Sequence, residues 1–346
     1  MWKGRDMAVC ALAFLAGDFF SSWLTLPPES YLVAALFSAA AAAVRRSRIT
    51  LLLTLFLLGA TATQVGRMPP TPAETALKQR CNALKDKTSD YLGTILGDGD
   101  ELAVLKALAI GDRSELPYRL KADYRRSGAM HLLALSGLHV GIIYKLLGYL
   151  LFFLGGTPWL RRLRSIVIVL LLWLFAMVSG MSPSIGRAVL MITLYELSPL
   201  FGARRDGLTA LAVAAILITL FNPEAPRMIG FQLSFMACLA IFTVFPSMRG
   251  LLKTECRLLA YVWDCLSLAI SCQLFTGPLS YFYFGCFPRY FMVTNLLTVP
   301  LVGMAVYLIA ASVLTSGIPL IGPLTAEALE TSVHMLNYIV SSIASL

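Results

Sequence analysis

The amino-acid sequence predicts an all-α membrane protein, a polytopic bundle of about eleven transmembrane segments, some of them broken or re-entrant. Of the 346 residues, 58% are hydrophobic and 14% are charged, and the mean hydropathy is +0.76. Soluble globular proteins contain about 25% charged residues. Apolar runs fill most of this chain, and a helix needs a run of about 20 apolar residues to cross a bilayer.

Turn residues and basic clusters separate the apolar runs. In the N-terminal region 1–66, Pro27-Pro28 and the arginines at positions 45, 46 and 48 divide three predicted segments. A polar stretch, 67–127, follows, and the remaining region, 128–346, contains eight more segments. The predicted segments are 7–26, 30–44, 49–66, 131–156, 165–181, 185–201, 207–221, 229–247, 258–276, 291–314 and 325–345.

The polar stretch 67–127 contains 11 Lys or Arg and nine Asp or Glu, so it does not belong in hydrocarbon. Its second half has apolar residues at helical spacing, among them Leu102, Leu105 and Leu108. This spacing predicts an amphipathic helix that lies on the membrane surface.

The distribution of positive charge predicts the topology. The net charge is +9, and basic clusters alternate along the chain with segment ends that have almost no Lys or Arg. Because basic residues favour the cytoplasmic side, we expect a cytoplasmic N-terminus, an extracytoplasmic 67–127 stretch and an extracytoplasmic C-terminus. The clusters are Lys3 and Arg5; Arg45, Arg46 and Arg48; Arg161, Arg162 and Arg164; Arg204 and Arg205; and Arg249, Lys253 and Arg257.

Polar residues interrupt the run GAMHLLALSGLHVGIIYKLLGYLLFFLGG, which begins at Gly128. His131, Ser136 and His139 lie in it, and Gly137 follows Ser136. Polar groups and irregular backbone are tolerated at membrane depth only where they face protein or water. The sequence therefore predicts a helix that breaks at Ser136-Gly137 and faces a polar path, although packing of small residues between helices would also account for the glycines.

This run resembles the competence domain of ComEC-type proteins, the DNA-uptake channels of the bacterial inner membrane. Three later stretches, SPSIGRAVLM at 182–191, NPEAPRMIGFQLSF at 222–235 and GPLSYFYFGCFPRYFMVTNLLTVPLVG at 277–303, follow in the family's order. The resemblance implies a multi-pass inner-membrane channel that passes single-stranded DNA into the cytoplasm during natural transformation. We therefore predict that residues 128–346 form the channel domain.

The resemblance also identifies parts that this sequence does not contain. Family members commonly have an OB-fold domain after the early spans and a nuclease-like C-terminal domain. The stretch 67–127 shows no run of alternating strands, and the sequence has no HxHxDH motif and no GxxxxGK[ST] motif. The chain is then either a short family member or part of a larger protein. The implied partners are single-stranded DNA, membrane lipid, a DNA receptor protein, a separate nuclease and a cytoplasmic ATPase, with a homo-oligomer left open.

The candidate DNA path consists of polar residues and one glycine within the predicted segments. Arg187 either reaches the outer interface or faces the bundle and contacts phosphate. Gln232 and Ser234 either bond between helices or line the path, and Asn295 lies ahead of Pro300, which is expected to kink or break its helix. The candidates are His131, Ser136, Gly137, His139, Arg187, Gln232, Ser234 and Asn295.

Neither a metal site nor a cofactor is predicted. On a continuous helix, His131 and His139 would be separated by about 12 Å of rise and about 80° of rotation, so they would not share a zinc ion. Two other functions stay open: a secondary transporter of a small solute, and an intramembrane hydrolase that uses Ser136 and His139. No GxSxG motif surrounds Ser136, so we expect no enzyme.

Overall fold

The computed structural model describes residues 4–21, 28–45, 48–65, 72–285 and 290–346. Every regular element within these ranges is helical, which confirms the all-α fold class. The α-helices are α1 (Gly4–Ser21), α2 (Pro28–Arg45), α3 (Arg48–Val65), α4 (Pro72–Ile95), α5 (Asp100–Ile110), α6 (Tyr118–Arg126), α7 (Met130–Leu133), α8 (Gly137–Leu150), α9 (Pro158–Val178), α10 (Pro183–Leu197), α11 (Gly207–Phe221), α12 (Ile229–Thr243), α13 (Phe245–Arg249), α14 (Arg257–Phe284), α15 (Phe291–Thr315) and α16 (Ile321–Ala344).

The chain forms two compact units. The first consists of Met1–Thr71 and Leu190–Phe242, and the second of Pro72–Val189 and Thr243–Leu346. Each unit therefore joins parts of the chain that are distant in sequence. The predicted division into 1–66, 67–127 and 128–346 stays a prediction.

Close packing between α1 and α3 organises the first unit. A Cβ atom placed on Gly17 would overlap the carbonyl oxygen of Phe56, and one placed on Gly59 would overlap the carbonyl oxygen of Phe14. Glycine at both positions lets the two backbones approach, as small residues do in membrane helix pairs. Helix α11 also packs against α1, and α2 packs against α3.

Helix α5 lies at the centre of the second unit. Eight of its 11 residues are buried, and Val104, Leu105 and Ala107 are inaccessible to solvent. It packs against α4, α7, α15 and α16. The sequence predicted that the apolar residues of this stretch form the face of a surface helix. In α5 they are instead covered by protein, and the charged residues of α5 are Asp100 and Glu101 in its first turn and Lys106, which pairs with Glu115.

The amphipathic pattern of the polar stretch belongs to α6. Leu120 and Tyr124 are its buried residues, and its remaining positions are largely charged. The Tyr124 hydroxyl donates to Asn337 Oδ1 at 2.9 Å in the interior, and Ser341 donates to Asp123 Oδ2 at 2.9 Å. These bonds attach α6 to α16.

Prolines do not interrupt the last long helices. Pro278 lies inside α14 and Pro300 inside α15, and both helices continue past them. Pro300 was expected to kink or break its helix, and the break is wrong because α15 continues to Thr315. Membrane helices tolerate proline because neighbouring groups can satisfy the freed carbonyl. Residues 286–289 lie outside the described ranges.

The count of eleven membrane segments is not confirmed. Within the described residues, only α14 and α15 are both long enough and apolar enough to cross a bilayer. Shorter apolar helices cover 51–61, 137–150, 207–221 and 229–243. Helix α16 has a polar exposed surface, because Glu327, Glu330 and His334 are all exposed along it.

Acidic residues within the predicted segments have arginine partners that the sequence did not identify. Glu196 is 5% exposed and accepts from Arg205 Nη2 at 2.6 Å. Asp18 is 1% exposed, and its Oδ2 lies 3.8 Å from Arg227 Nη1. Asp264 Oδ1 accepts from Arg249 Nε at 2.8 Å. A buried carboxylate without a partner costs several kcal/mol, so these pairs explain how charge is tolerated there.

One contact conflicts with the predicted topology. The Tyr91 hydroxyl on α4 lies 2.8 Å from Ser316 Oγ, in the connection between α15 and α16. The charge pattern places Tyr91 outside and Ser316 inside, and about 30 Å of hydrocarbon would separate them. At least one of the two placements is therefore wrong. The burial of α5 against α15 and α16 favours insertion of the α4–α5 pair into the bundle.

The glycine contact between α1 and α3 is testable. We expect Gly17→Ala to lower stability by about 1–3 kcal/mol, because the added methyl group overpacks a backbone contact. The thermal unfolding midpoint of the purified protein in detergent would measure the change. Gly93→Ala in α4 is the control, since its Cβ would approach only Leu102 Cδ2, at 4.0 Å. Equal midpoints for the two variants would contradict the proposed packing role.

Candidate functional site

The predicted helix break beside Ser136 and Gly137 is present. Helix α7 ends at Leu133, Ala134 is extended, and α8 begins at Gly137. Ser136 occupies the N-cap with φ −128° and ψ 172°. Serine is favoured at this position because its side-chain oxygen accepts from a backbone N–H that has no partner within the helix.

Ser136 and His139 cap α8 together. The Leu138 N–H donates to Ser136 Oγ at 3.3 Å, and the Ser136 N–H donates to His139 Nδ1 at 3.4 Å. The Ser136 hydroxyl lies 3.2 Å from the same ring nitrogen. His139 therefore takes the place of the Glu or Gln that usually completes a capping box.

One ring nitrogen of His139, Nε2, takes no part in the cap. Because Nδ1 accepts the Ser136 N–H, the proton of the neutral imidazole is assigned to Nε2. His139 is 0% exposed, and within the described part of the chain Nε2 has no hydrogen-bond partner. This N–H is a buried donor that the fold does not use.

His131 and Asn295 lie near His139. His131 is exposed, its Nδ1 donates to the Gly128 carbonyl at 3.0 Å, and its ring is close enough to interact electrostatically with His139 and with the Asn295 side chain. The Asn295 Oδ1 atom is buried and has no hydrogen-bond partner among the described residues. The structure therefore brings these three candidates together across the break.

Helix α15 is attached directly beside this group. The Thr294 hydroxyl donates to the Ser127 carbonyl at 2.7 Å, and the Thr298 hydroxyl donates to the Thr294 carbonyl at 2.6 Å. Thr294 and Thr298 are both buried. The first bond fixes Asn295 against the segment that leads into α7.

The start of α8 faces α10. A Cβ atom on Gly137 would contact Ala188 Cβ at 3.7 Å, and one on Gly141 would meet no atom of the described structure within 4 Å. Neither position requires glycine for close packing here. Arg187 precedes Ala188 and is 9% exposed, so protein covers most of its side chain.

The other two candidates, Gln232 and Ser234, belong to α12 of the first unit. Gln232 Nε2 donates to the Pro226 carbonyl at 3.0 Å. This bond gives Gln232 a structural role in the turn before α12. Ser234 is partly buried. The proposed contact of both residues with DNA stays a prediction.

The site does not contain an assembled catalytic triad within the described chain. The Ser136 hydroxyl is near His139, but no carboxylate accepts from His139 Nε2. Among the described residues, no group of three His, Cys, Asp or Glu side chains is placed to hold a metal ion. The geometry accounts for the Ser136–His139 contact as a helix cap.

The sequence did not identify a polar cavity beside this site. The cavity has a volume of about 260 Å³, and its lining includes Asn82, Lys85, Arg113 and Ser182. Lys85 and Arg113 are two of the 11 basic residues in 67–127, and nothing in their spacing distinguishes them. The sequence signal for this region is the glycine at position 180, in the turn between α9 and α10. Its φ of 74° is a conformation that favours glycine.

Comparison with known proteins identifies relatives. The sequence model of a family described as Competence protein matches residues 108–346. ComE operon protein 3 of Bacillus subtilis (strain 168) is 34% identical over 201 residues, which are 58% of this chain and 25% of that protein. An uncharacterized protein of Aquifex aeolicus (strain VF5) is 30% identical over 138 residues, which are 40% of this chain and 32% of that protein. No solved structure matches the chain significantly.

Substitution can distinguish a role of Ser136 as a helix cap from a role as a catalytic nucleophile. Ser136→Ala removes the cap and should lower stability by about 1 kcal/mol, whereas Ser136→Asn keeps a capping oxygen and should stay near the parental stability. Thermal unfolding in detergent measures both variants. If transformation follows stability, so that Asn restores what Ala loses, Ser136 acts as a cap. Full stability together with complete loss of function in Ser136→Asn would instead support a nucleophile.

Proposed function

Because the chain belongs to the Competence protein family, we propose that it forms an inner-membrane channel for single-stranded DNA entering the bacterial cytoplasm during natural transformation. The family match over 108–346 is the observation that carries this proposal, since it covers α7, α8, α10 and α15. The aligned residues span 25% of ComE operon protein 3 and 32% of the Aquifex aeolicus protein. The activity of those longer proteins therefore enters here as part of the proposal.

The physical requirement of such a channel is to shield a polyanion from lipid without holding it tightly. Conduction needs binding that is strong enough for entry and weak enough for release, and fixed positive charges bind phosphate in proportion to their number. The group at the α7–α8 break consists of neutral polar side chains with one buried arginine on the adjacent helix. This composition favours weak contacts at several positions.

The buried donors near the break support the same proposal. The His139 N–H is a donor without a partner in the described structure, and Arg187 is buried in the same unit. A phosphate oxygen or a base edge is an acceptor for both groups, and guanidinium binds phosphate through two parallel hydrogen bonds. We place His131, His139, Arg187 and Asn295 along the DNA path, with Ser136 and Gly137 shaping it.

The proposal includes partners that the chain itself does not supply. The sequence has no GxxxxGK[ST] motif, so energy for transport would come from a cytoplasmic ATPase or a gradient. A DNA receptor would deliver the strand and a separate nuclease would generate it. A multi-pass arrangement with a cytoplasmic N-terminus and an extracytoplasmic C-terminus is part of the proposal, and in it the α4–α5 pair is inserted into the bundle.

The path can be tested by substitution. Arg187→Ala should reduce transformation frequency by about tenfold or more while the protein still accumulates in the membrane, because alanine cannot bind the phosphate. Arg187→Lys should restore part of the frequency, since it keeps the charge but loses the planar fork. His139→Ala should also impair uptake. The measurement is transformation frequency with a selectable marker, normalised to membrane protein level.

Arg161→Ala is the control, because Arg161 is exposed at the start of α9 and lies beside Arg162 and Arg164. It should transform at about the parental rate. Parental transformation by both Arg187→Ala and His139→Ala would remove these residues from the DNA path. Parental transformation by cells that lack the whole chain would reject the channel.

A further inference from the structure

The polar cavity of the second unit lies outside the group of residues at the α7–α8 break but adjoins it. Its volume is about 260 Å³, and it is bounded by α4, the turn after α5, the residues just before Ser136 and the turn between α9 and α10. Leu135, the neighbour of Ser136, is part of its lining. Its polar and charged lining residues are Asn82, Lys85, Arg113, Ser179, Ser182 and Ser184.

The charge of the cavity is positive. Within the described chain, neither Lys85 nor Arg113 forms a hydrogen bond or a direct ion pair with another side chain. Asp112 is the opposing charge: burial raises its pKa, but hydrogen bonds from Ser114 and the charges of Lys85 and Lys106 more than compensate, so the pKa lies below its usual value and the carboxylate stays ionised.

A second cation near Asp112 is neutralised by an ion pair. Lys106 Nζ lies 2.7 Å from Glu115 Oε2 and forms an ion pair with it. Lys85 and Arg113 of the lining carry two positive charges and the neighbouring Asp112 carries one negative charge, so these three residues have a net charge of +1. The Asp112 carboxylate is also occupied by the Ser114 N–H and hydroxyl, at 3.1 and 2.8 Å. A ligand that balances this charge is an anion.

Serine residues and the start of α10 also belong to the lining of the cavity. Ser182 Oγ is inaccessible to solvent and has no hydrogen-bond partner among the described residues. The Gly186 N–H donates to the Ser182 carbonyl at 2.9 Å, so the N–H groups of Ser184 and Ile185 precede the first bond within α10. The positive end of the α10 dipole adds to the attraction for an anion.

The turn between α9 and α10 allows α4 to come close to the start of α10. Gly180 and Met181 have φ values of 74° and 53°, and a positive φ is uncommon for a residue other than glycine. A Cβ atom on Gly180 would lie 3.2 Å from Lys85 Cδ and 3.5 Å from Asn82 Oδ1. The absence of a side chain at position 180 lets α4 bring its polar residues to the start of α10.

We propose that this cavity, defined by Asn82, Lys85, Arg113 and Ser182, binds one backbone phosphate of single-stranded DNA next to the α7–α8 break. The inference rests on the proposed function and adds a site that positions the strand. A phosphate offers several acceptor oxygens, which match two cations, a hydroxyl and the helix N–H groups. Because contact is made to the phosphate alone, the site has no preference among bases.

The lining favours a nucleic acid phosphate over a lipid headgroup. Helix α4 is rich in charged residues, and the apolar lining residues Ile110 and Leu135 are buried. A bound lipid would need exposed apolar surface next to its headgroup for two acyl chains. Six of the twelve lining residues are polar or charged instead.

Binding of a fluorescein-labelled 20-nucleotide thymidine oligomer to the full chain in detergent, followed by anisotropy, tests the site. We expect Lys85→Gln/Arg113→Gln to weaken binding by about tenfold or more at 0.1 M salt. The slope of log K against log salt should become shallower by about 0.7 for each phosphate that the variant no longer neutralises. Lys87→Gln/Arg119→Gln is the matched control, because it removes the same charge from exposed positions on α4 and α6. The control should bind and transform as the parental chain does.

A second measurement does not depend on removing charge. A photo-crosslinking p-benzoylphenylalanine at Asn82 should capture the oligomer, and the same group at Lys87 should not. If the parental chain binds the oligomer but position 82 captures nothing, or if Lys85→Gln/Arg113→Gln binds normally, the cavity inference fails and the channel proposal stands. If the parental chain does not bind the oligomer at all and cells lacking it transform normally, the channel proposal fails as well.

Short-chain phosphatidylglycerol tests whether the cavity binds the phosphate of a lipid headgroup and not that of DNA. If the parental chain binds phosphatidylglycerol but not phosphatidylcholine, and Lys85→Gln/Arg113→Gln loses this binding while keeping the oligomer, the cavity is a headgroup site and the inference is overturned. Displacement of the oligomer by inorganic phosphate, with no effect of either lipid, supports the proposed phosphate contact.

Discussion

A helix that ends inside an apolar bundle leaves backbone groups without partners, and the candidate site depends on how this chain satisfies them. The Ser136 side chain and the His139 ring accept N–H groups at the start of α8, and His131 and Thr294 donate to the carbonyls of Gly128 and Ser127. Most of the polar atoms at the break are therefore used by the fold. Within the described structure, the His139 Nε2 and Asn295 Oδ1 atoms are the buried polar atoms of this group that form no hydrogen bond.

The same requirement explains how charge is accommodated elsewhere. Glu196, Asp18 and Asp264 each have an arginine within 4 Å, and two of these carboxylates are almost completely buried. Arg205 and Arg249 belong to basic clusters that also predict topology. A cluster arginine can thus serve two purposes, orienting the chain during insertion and neutralising an acid after folding. Removing the arginine would weaken the stabilisation of a buried carboxylate.

Local signals in the sequence were sufficient for the helix break and for the all-α class. Ser136 followed by glycine is an N-cap signal that acts within four residues, so no tertiary information was needed. The burial of α5 could not be read in this way, because an apolar 11-residue helix looks the same whether it lies on a membrane or inside protein. The continuation of α15 past Pro300 could not be predicted for a related reason: neighbouring helices decide whether a proline ends a membrane helix. The pairing of Lys85 and Arg113 in one cavity depends on contacts between distant parts of the chain.

The position of α5 has a consequence for synthesis. Its packing partners on α15 and α16 include Val302, Ala305 and Leu336, so about 226 residues separate Ile110 from the last of these partners along the chain. At roughly 5–20 residues per second, a ribosome takes on the order of 10–45 s to reach that point. During this interval α5 must be held by lipid, by a chaperone or by transient neighbours, because its final environment has not yet been made. Ribosome stalling or early termination before α16 would therefore expose an apolar helix from the middle of the protein, and quality-control proteases would have a substrate even though most of the chain had already been inserted.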